Sequence, residues 1–107
     1  MSTLESNLKI ILGNAVGFAK DDFKKLLADA RKDSSQFIKN QARLLEKYIE
    51  ELAAGEISKE EFEDLIKGLT ALDRMEYHRL SAEVKSRAQE LANQMTELVI
   101  DGLLKMI

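Results

Sequence analysis

Apolar and small residues recur every three or four positions along nearly the whole chain. In the first half the series runs Leu4, Leu8, Ile11, Ala15, Ala19, Phe23, Leu26, Ala30, Ser34, Phe37, Gln41, Leu45, Tyr48 and Leu52. In the second half it runs Phe62, Ile66, Leu69, Asp73, Tyr77, Leu80, Val84, Ala88, Leu91, Met95, Leu98 and Gly102. Such spacing keeps one face of an α-helix together. No sustained polar–apolar alternation marks a strand, so strands are not expected. The pattern predicts an all-α fold.

Between the two series, residues 54–62 (Ala-Gly-Glu-Ile-Ser-Lys-Glu-Glu-Phe) carry the strongest local signal. Gly55 suits the left-handed position that ends a helix. Ser58 is a good N-cap, and Glu61 three residues later completes a capping box. Ile57 and Phe62 occupy the two positions of a hydrophobic staple. Glu60, Glu61, Glu63 and Asp64 place negative charge where the helix dipole favours it. A tight turn over 55–58 is therefore predicted, between helices of about 3–54 and 59–106 in a single helical domain spanning 1–107.

A second break is left open. Asp33-Ser34-Ser35-Gln36 has the composition of an N-cap with a glutamine three residues on, which would split the first half into two helices. Against it, the apolar phase runs through without a slip, with Ser34 at a core position. Two long helices are favoured over this three-helix alternative. Gly13 and Gly17 each cost a helix about 1 kcal/mol relative to alanine and allow a neighbour to approach closely.

Helices of that length would run roughly 70–75 Å as a long antiparallel hairpin with coiled-coil-like packing. A lone hairpin hides only the strip facing its partner. Leu12, Leu27, Ile38, Leu44, Ile49, Leu65, Leu72 and Leu104 lie off the main series or on its flank. That surplus predicts self-association, most simply two hairpins completing a four-helix bundle; with the break near Asp33 the same surplus could close a monomer. Folding about position 56 brings the segment from Ile10 to Ala19 beside residues 95–107. The expected oligomer or partner interface is Ile11, Leu12, Val16 and Phe18 with Leu98, Val99, Leu103, Leu104, Met106 and Ile107. The turn end is acidic, with Glu46, Glu50, Glu51, Glu56, Glu60, Glu61, Glu63 and Asp64 against Lys47 and Lys59.

Composition removes several kinds of chemistry. The chain of 107 residues has no cysteine, one histidine and a net charge of −3. It can supply no thiolate nucleophile, disulfide or multi-histidine metal site by itself. The residue three before His78 is Met75, so the Glu-x-x-His spacing of di-iron bundles is missing. Ser34, Ser35, Ser81 and Ser86 lack a nucleophile-elbow context, and neither a calcium loop nor a glycine-rich phosphate loop is present. No catalytic, cofactor-binding or metal-binding residue is expected, and no enzymatic activity.

Eight basic residues face five acidic ones between Lys20 and Lys47. Their interleaving (Asp21 or Asp22 with Lys25, Asp29 with Lys32, Arg43 with Glu46) reads as a solvated ion-paired face. No aromatics accompany a basic groove, so nucleic acid is not an expected partner. The N-terminus lacks a basic region before its apolar residues. The longest uncharged stretch, Ile10 to Ala19, is far short of the ~20 residues of a bilayer span. A cytoplasmic location is expected.

Residues 52–63, Leu-Ala-Ala-Gly-Glu-Ile-Ser-Lys-Glu-Glu-Phe-Glu, resemble the Leu…Gly-x-Ile-Ser/Thr-x-Glu-Glu-Phe opening of short C-terminal helical modules on many bacterial proteins. The chain departs from that pattern because residues 63–107 follow the phenylalanine, where such modules end after one short helix. The resemblance implies a bacterial or phage source and carries no activity with it. The resulting expectation is a non-enzymatic structural, assembly or adaptor protein. Its first expected partner is itself, as a homodimer or higher oligomer, with another protein as a further possibility. One alternative is a peripheral membrane or lipid-surface protein using the apolar end formed by both termini. A second is a small regulator that binds a partner's helix.

Overall fold

A computed structural model of the chain describes residues 3–13, 17–72 and 75–107; every regular element among them is helical. The helices are α1 (Thr3–Leu12), α2 (Lys20–Arg31), α3 (Gln36–Ala53), α4 (Lys59–Ala71), the single turn α5 (Met75–His78) and α6 (Ala82–Met95). The chain leaves α6 with helical backbone, passes through a wider, π-helical stretch (Thr96–Leu103) and closes with α7 (Leu104–Met106).

The turn between α3 and α4 forms as its sequence predicts. Gly55 takes φ +76°. The Gly55 N–H donates to the Leu52 carbonyl and the Glu56 N–H to that of Glu51, the paired bonds of a Schellman motif. Ser58 Oγ accepts from the Glu61 N–H at 3.1 Å, and Glu61 Oε1 accepts from the Ser58 N–H at 2.9 Å. Phe62 is fully buried, and Ile57 packs against the same core.

The two rods of about 3–54 and 59–106 are not what forms. The first is interrupted between Leu12 and Lys20 and again between Arg31 and Gln36. At the second interruption the helix breaks despite the continuous apolar phase, and Ser35, the N-cap residue of α3, makes no side-chain capping bond. Asp33 Oδ1 accepts the Ser35 N–H at 2.8 Å, and its two carboxylate oxygens take Nε and Nη2 of Arg87 at 3.0 and 3.1 Å. Ser34, assigned to the core by spacing, is exposed. The second rod is interrupted between Ala71 and Ala82. Leu72 ends α4 at φ +55°, and Ser81 caps α6 by accepting the Val84 N–H. Asp73, a member of the second apolar series, lies outside the described residues.

These breaks let short helices wrap α3 on more than one side. α3 buries Phe37, Ile38, Gln41, Ala42, Leu45 and Ile49, packing against α1, α2 and α4, while α4 also packs against α6 and the π stretch. Gln41 is buried and donates from Nε2 to the Leu69 carbonyl at 3.0 Å, which ties the last turn of α4 to the middle of α3. Tyr77 pins α5: its ring meets Phe37 at 6.2 Å, and its hydroxyl accepts from Gln89 Nε2. Of the side chains counted as surplus, Leu27, Ile38, Ile49 and Leu104 are buried and Leu12, Leu44, Leu65 and Leu72 half-buried in this single chain.

The molecule measures 42 × 26 × 21 Å, against the 70 Å or more of the expected hairpin. Its 6432 Å² surface is close to the roughly 6,000 Å² of a folded monomer of 12.1 kDa. The apolar excess therefore no longer requires a second copy. No helix among the described residues is long and apolar enough to cross a membrane.

Three substitutions test the helices and the breaks between them. Gly68 lies inside α4, exposed, with nothing within 4 Å of an added Cβ, so Gly68→Ala raises stability by about 0.5–1 kcal/mol. Gly55→Ala lowers it by about 1–2 kcal/mol because of the left-handed backbone; urea unfolding of both variants reads the opposite signs. The Arg87 guanidinium holds the Asp33 carboxyl below its ordinary value. The stability it contributes is thus present above the unfolded carboxyl pKa near 3.9 and lost as pH falls through the lower folded value. Asp33→Asn keeps the acceptor for Ser35 and removes the charge. The variant is less stable at neutral pH and loses less on acidification from about pH 5 to 2, as thermal melts across that range would show.

Candidate functional site

The site is a groove between α2 and the C-terminal helix, produced by where each commits its apolar face. α2 places Phe23, Leu26, Leu27 and Ala30 inward, chiefly against α3, and touches α6 only lightly. The C-terminal helix commits Met95, Val99 and Leu103, all fully buried, and Leu104 to the core that it shares with α4. Lys59 at the start of α4 fastens this end, donating from Nζ to the Ile107 carbonyl at 3.0 Å.

The π-helical stretch decides which residues face the groove. Leu91, Met95, Val99 and Leu103 stand four apart, all buried. At about 100° per residue, steps of four drift by about 40° each around an α-helix. A wider turn removes that drift, so Val99 and Leu103 stay over the core. Leu98 and Gly102, which the three-and-four series assigns to the buried stripe, turn outward to the groove instead. At the junction the Thr96 hydroxyl donates to the Ala92 carbonyl at 3.0 Å, a back-bond that bends helices.

Residues 17–19 close one end. Gly17 has φ +101°, and a Cβ there would stand 3.2 Å from Met106 Cε, so bare backbone lets the segment cross the C-terminal helix closely. This close approach is made by non-helical backbone; around Gly13 nothing lies within 4 Å of an added Cβ. The Phe18 ring lies over Gly102, 3.8 Å from where a Cβ would be, and meets the Phe23 ring at 5.7 Å.

Two cavities result, end to end. One of about 330 Å³ is floored by Phe18, Leu98 and Met106, with Asp101 and Lys105 at its edge. The other, about 320 Å³, has Asp22, Lys25, Leu26 and Asp29 on the α2 side and Gln94, Glu97 and Leu98 on the other. Glu97 and Leu98 line both, so the two cavities adjoin and together form the groove. Asp22, Asp29, Glu97 and Asp101 are exposed, and none is in an ion pair among the described residues. Three of the four basic residues of α2 pair elsewhere, Lys20 and Lys24 with Glu5 and Arg31 with Glu46, while Lys25 lines the groove. The pairings expected within α2 are absent from these.

The predicted interface residues divide three ways. Phe18, Leu98 and Met106 come together in the groove. Val99, Leu103 and Leu104 are buried in the chain's own core; Ile11, Leu12 and Ile107 are half-buried against it. Val16 lies outside the described residues. Gly55, Ile57, Ser58, Glu61 and Phe62 build the α3–α4 turn, away from the groove's lining. Ile10 and Met75 are the large apolar side chains left exposed among the described residues. Spacing did not mark Glu97 or Asp101. The signal that could have found them is the four-residue repeat through Val99 and Leu103, which turns 97, 98 and 101 outward.

His78 is exposed, its ring edge-on to Tyr77 at 5.5 Å. Among the described residues no group of three His, Asp or Glu side chains is arranged to hold a metal ion. Comparison of the chain with protein-family models, with curated proteins and with solved structures finds no match to any of them.

Proposed function

We propose that this protein is a non-enzymatic adaptor or assembly subunit whose work is to seat a segment of another protein in the groove between α2 and the C-terminal helix. The observation that carries this reading is the groove itself. Its floor is apolar at Phe18, Leu98 and Met106 and more polar beside Leu26, its rim is charged, and it runs along a surface whose other large apolar side chains are mostly withdrawn. An apolar floor inside a polar rim is the usual composition of a recognition surface. The protein-contact role expected from the sequence is kept, and its seat moves from an apolar end formed by both termini to this groove. A second copy of the chain is one partner that the reading admits.

The test is site-specific photocrosslinking in cells. With a photoreactive amino acid at Asp101, on the exposed rim, the expected outcome is a discrete adduct with a second polypeptide. The same group at exposed Lys47, on α3, should give none. Equal or absent adducts at the two positions would contradict the reading.

A further inference from the structure

We propose that the occupant of the groove is a basic amphipathic helix of another protein, about three turns long. The inference deepens the adaptor reading and rests on it. Length comes from the C-terminal helix: the groove is lined from Gln94 to Met106, at most about 18 Å at the α-helical 1.5 Å per residue and somewhat less through the wider π-helical turns. Three turns of a partner helix match that span. Its apolar positions would recur three and four apart, the spacing that lays one helix face into a groove. The apolar stripe would meet Leu26 and Leu98 at the centre and Phe18 and Met106 at the end.

Charge selects the flanks. The α2 wall presents Asp22 and Asp29, and the facing wall presents Glu97 and Asp101. Against these four unpaired carboxylates stand Lys25 and Lys105, a balance of −2 along the groove. Lysine or arginine on both sides of the stripe complements both walls at once, whereas an acidic helix would face repulsion from each. The same balance disfavours a second copy, since each chain carries a net charge of −3. It also disfavours an anionic membrane surface, which would meet the carboxylates first.

The probe is a fluorescein-labelled 14-residue synthetic peptide with leucines at helical spacing and lysines elsewhere, titrated with the full chain and read by fluorescence anisotropy. Two control peptides are used: one with every lysine replaced by glutamate, and one of the same composition with the leucines scattered off any single face. The expected result is saturable binding of the first peptide alone, weakened by raised salt. Glu97→Lys combined with Asp101→Lys should weaken it at least tenfold, roughly what reversal of two rim charges produces. Glu50→Lys combined with Glu56→Lys, the same charge change on exposed residues beside the α3–α4 turn, should leave it within about twofold. Circular dichroism confirms that both variants keep their helices.

No saturable binding, equal binding of the scattered peptide, or equal weakening by the two variant pairs would overturn the proposal. So would a mass-doubled protein that excludes the peptide, which would make a second copy the occupant. The crosslink at position 101 separates this failure from failure of the underlying reading. An adduct without peptide binding leaves the adaptor role standing with a different occupant, whereas loss of both removes the role as well.

Discussion

The structure depends on α3 having more to bury than one neighbour can cover. Phe37, Ile38, Gln41, Ala42, Leu45 and Ile49 are all withdrawn from solvent. Apolar or small residues on so wide an arc make a helix central. α1 and α2 must therefore fold back on it from one direction and α4 from another, and a continuous rod cannot do both. The interruptions at 32–35 and 54–58 meet that demand, held by the Asp33 carboxylate at one and by a Schellman motif with a capping box at the other. Gln41 shows how specific the packing is. A buried amide without a partner would cost about 1–3 kcal/mol, and its bond to the Leu69 carbonyl fixes how far α4 slides along α3.

The groove is a consequence of that arrangement. Once α2 has spent its apolar face on α3 and the C-terminal helix has committed its own to the core shared with α4, the outer sides of the two stand close without meeting fully. Phe18 wedges one end against Gly102, and the π-helical turn swings Leu98 toward the gap while keeping Val99 and Leu103 inside. Wider helical turns of this kind occur frequently at functional sites because they re-aim side chains. Here the re-aimed Leu98 lines both cavities and Gly102 lines one of them.

Much of this was legible in the residues, and the gaps have physical causes. Helical periodicity established the all-α class, and the run from Gly55 to Phe62 located its turn bond for bond, because capping is local. The break near Asp33 was visible as an alternative; continuity of the apolar phase weighed against it, since phase says nothing of the partner that Asp33 finds in Arg87, far along the chain. The break before α6 is not marked by the apolar periodicity. Ser81 ahead of Ala82 and Glu83 is an N-cap with an acidic first turn, yet the series through Leu80 and Val84 concealed it. The C-terminal register shifted by one residue because Leu98-Val99 and Gly102-Leu103 offer an α-spaced stripe and a four-spaced stripe side by side. Only the demands of packing choose between them.

Small-angle X-ray scattering on the isolated chain, with its mass measured by light scattering in the same run, tests most directly the claim that one copy closes its own core around α3. The expected result is a monomer with a radius of gyration close to the 13.6 Å of the Cα trace, slightly enlarged by side chains and hydration. A radius above about 20 Å, as two helices of some 70 Å would give, or an obligate dimer at low micromolar concentration, would contradict it.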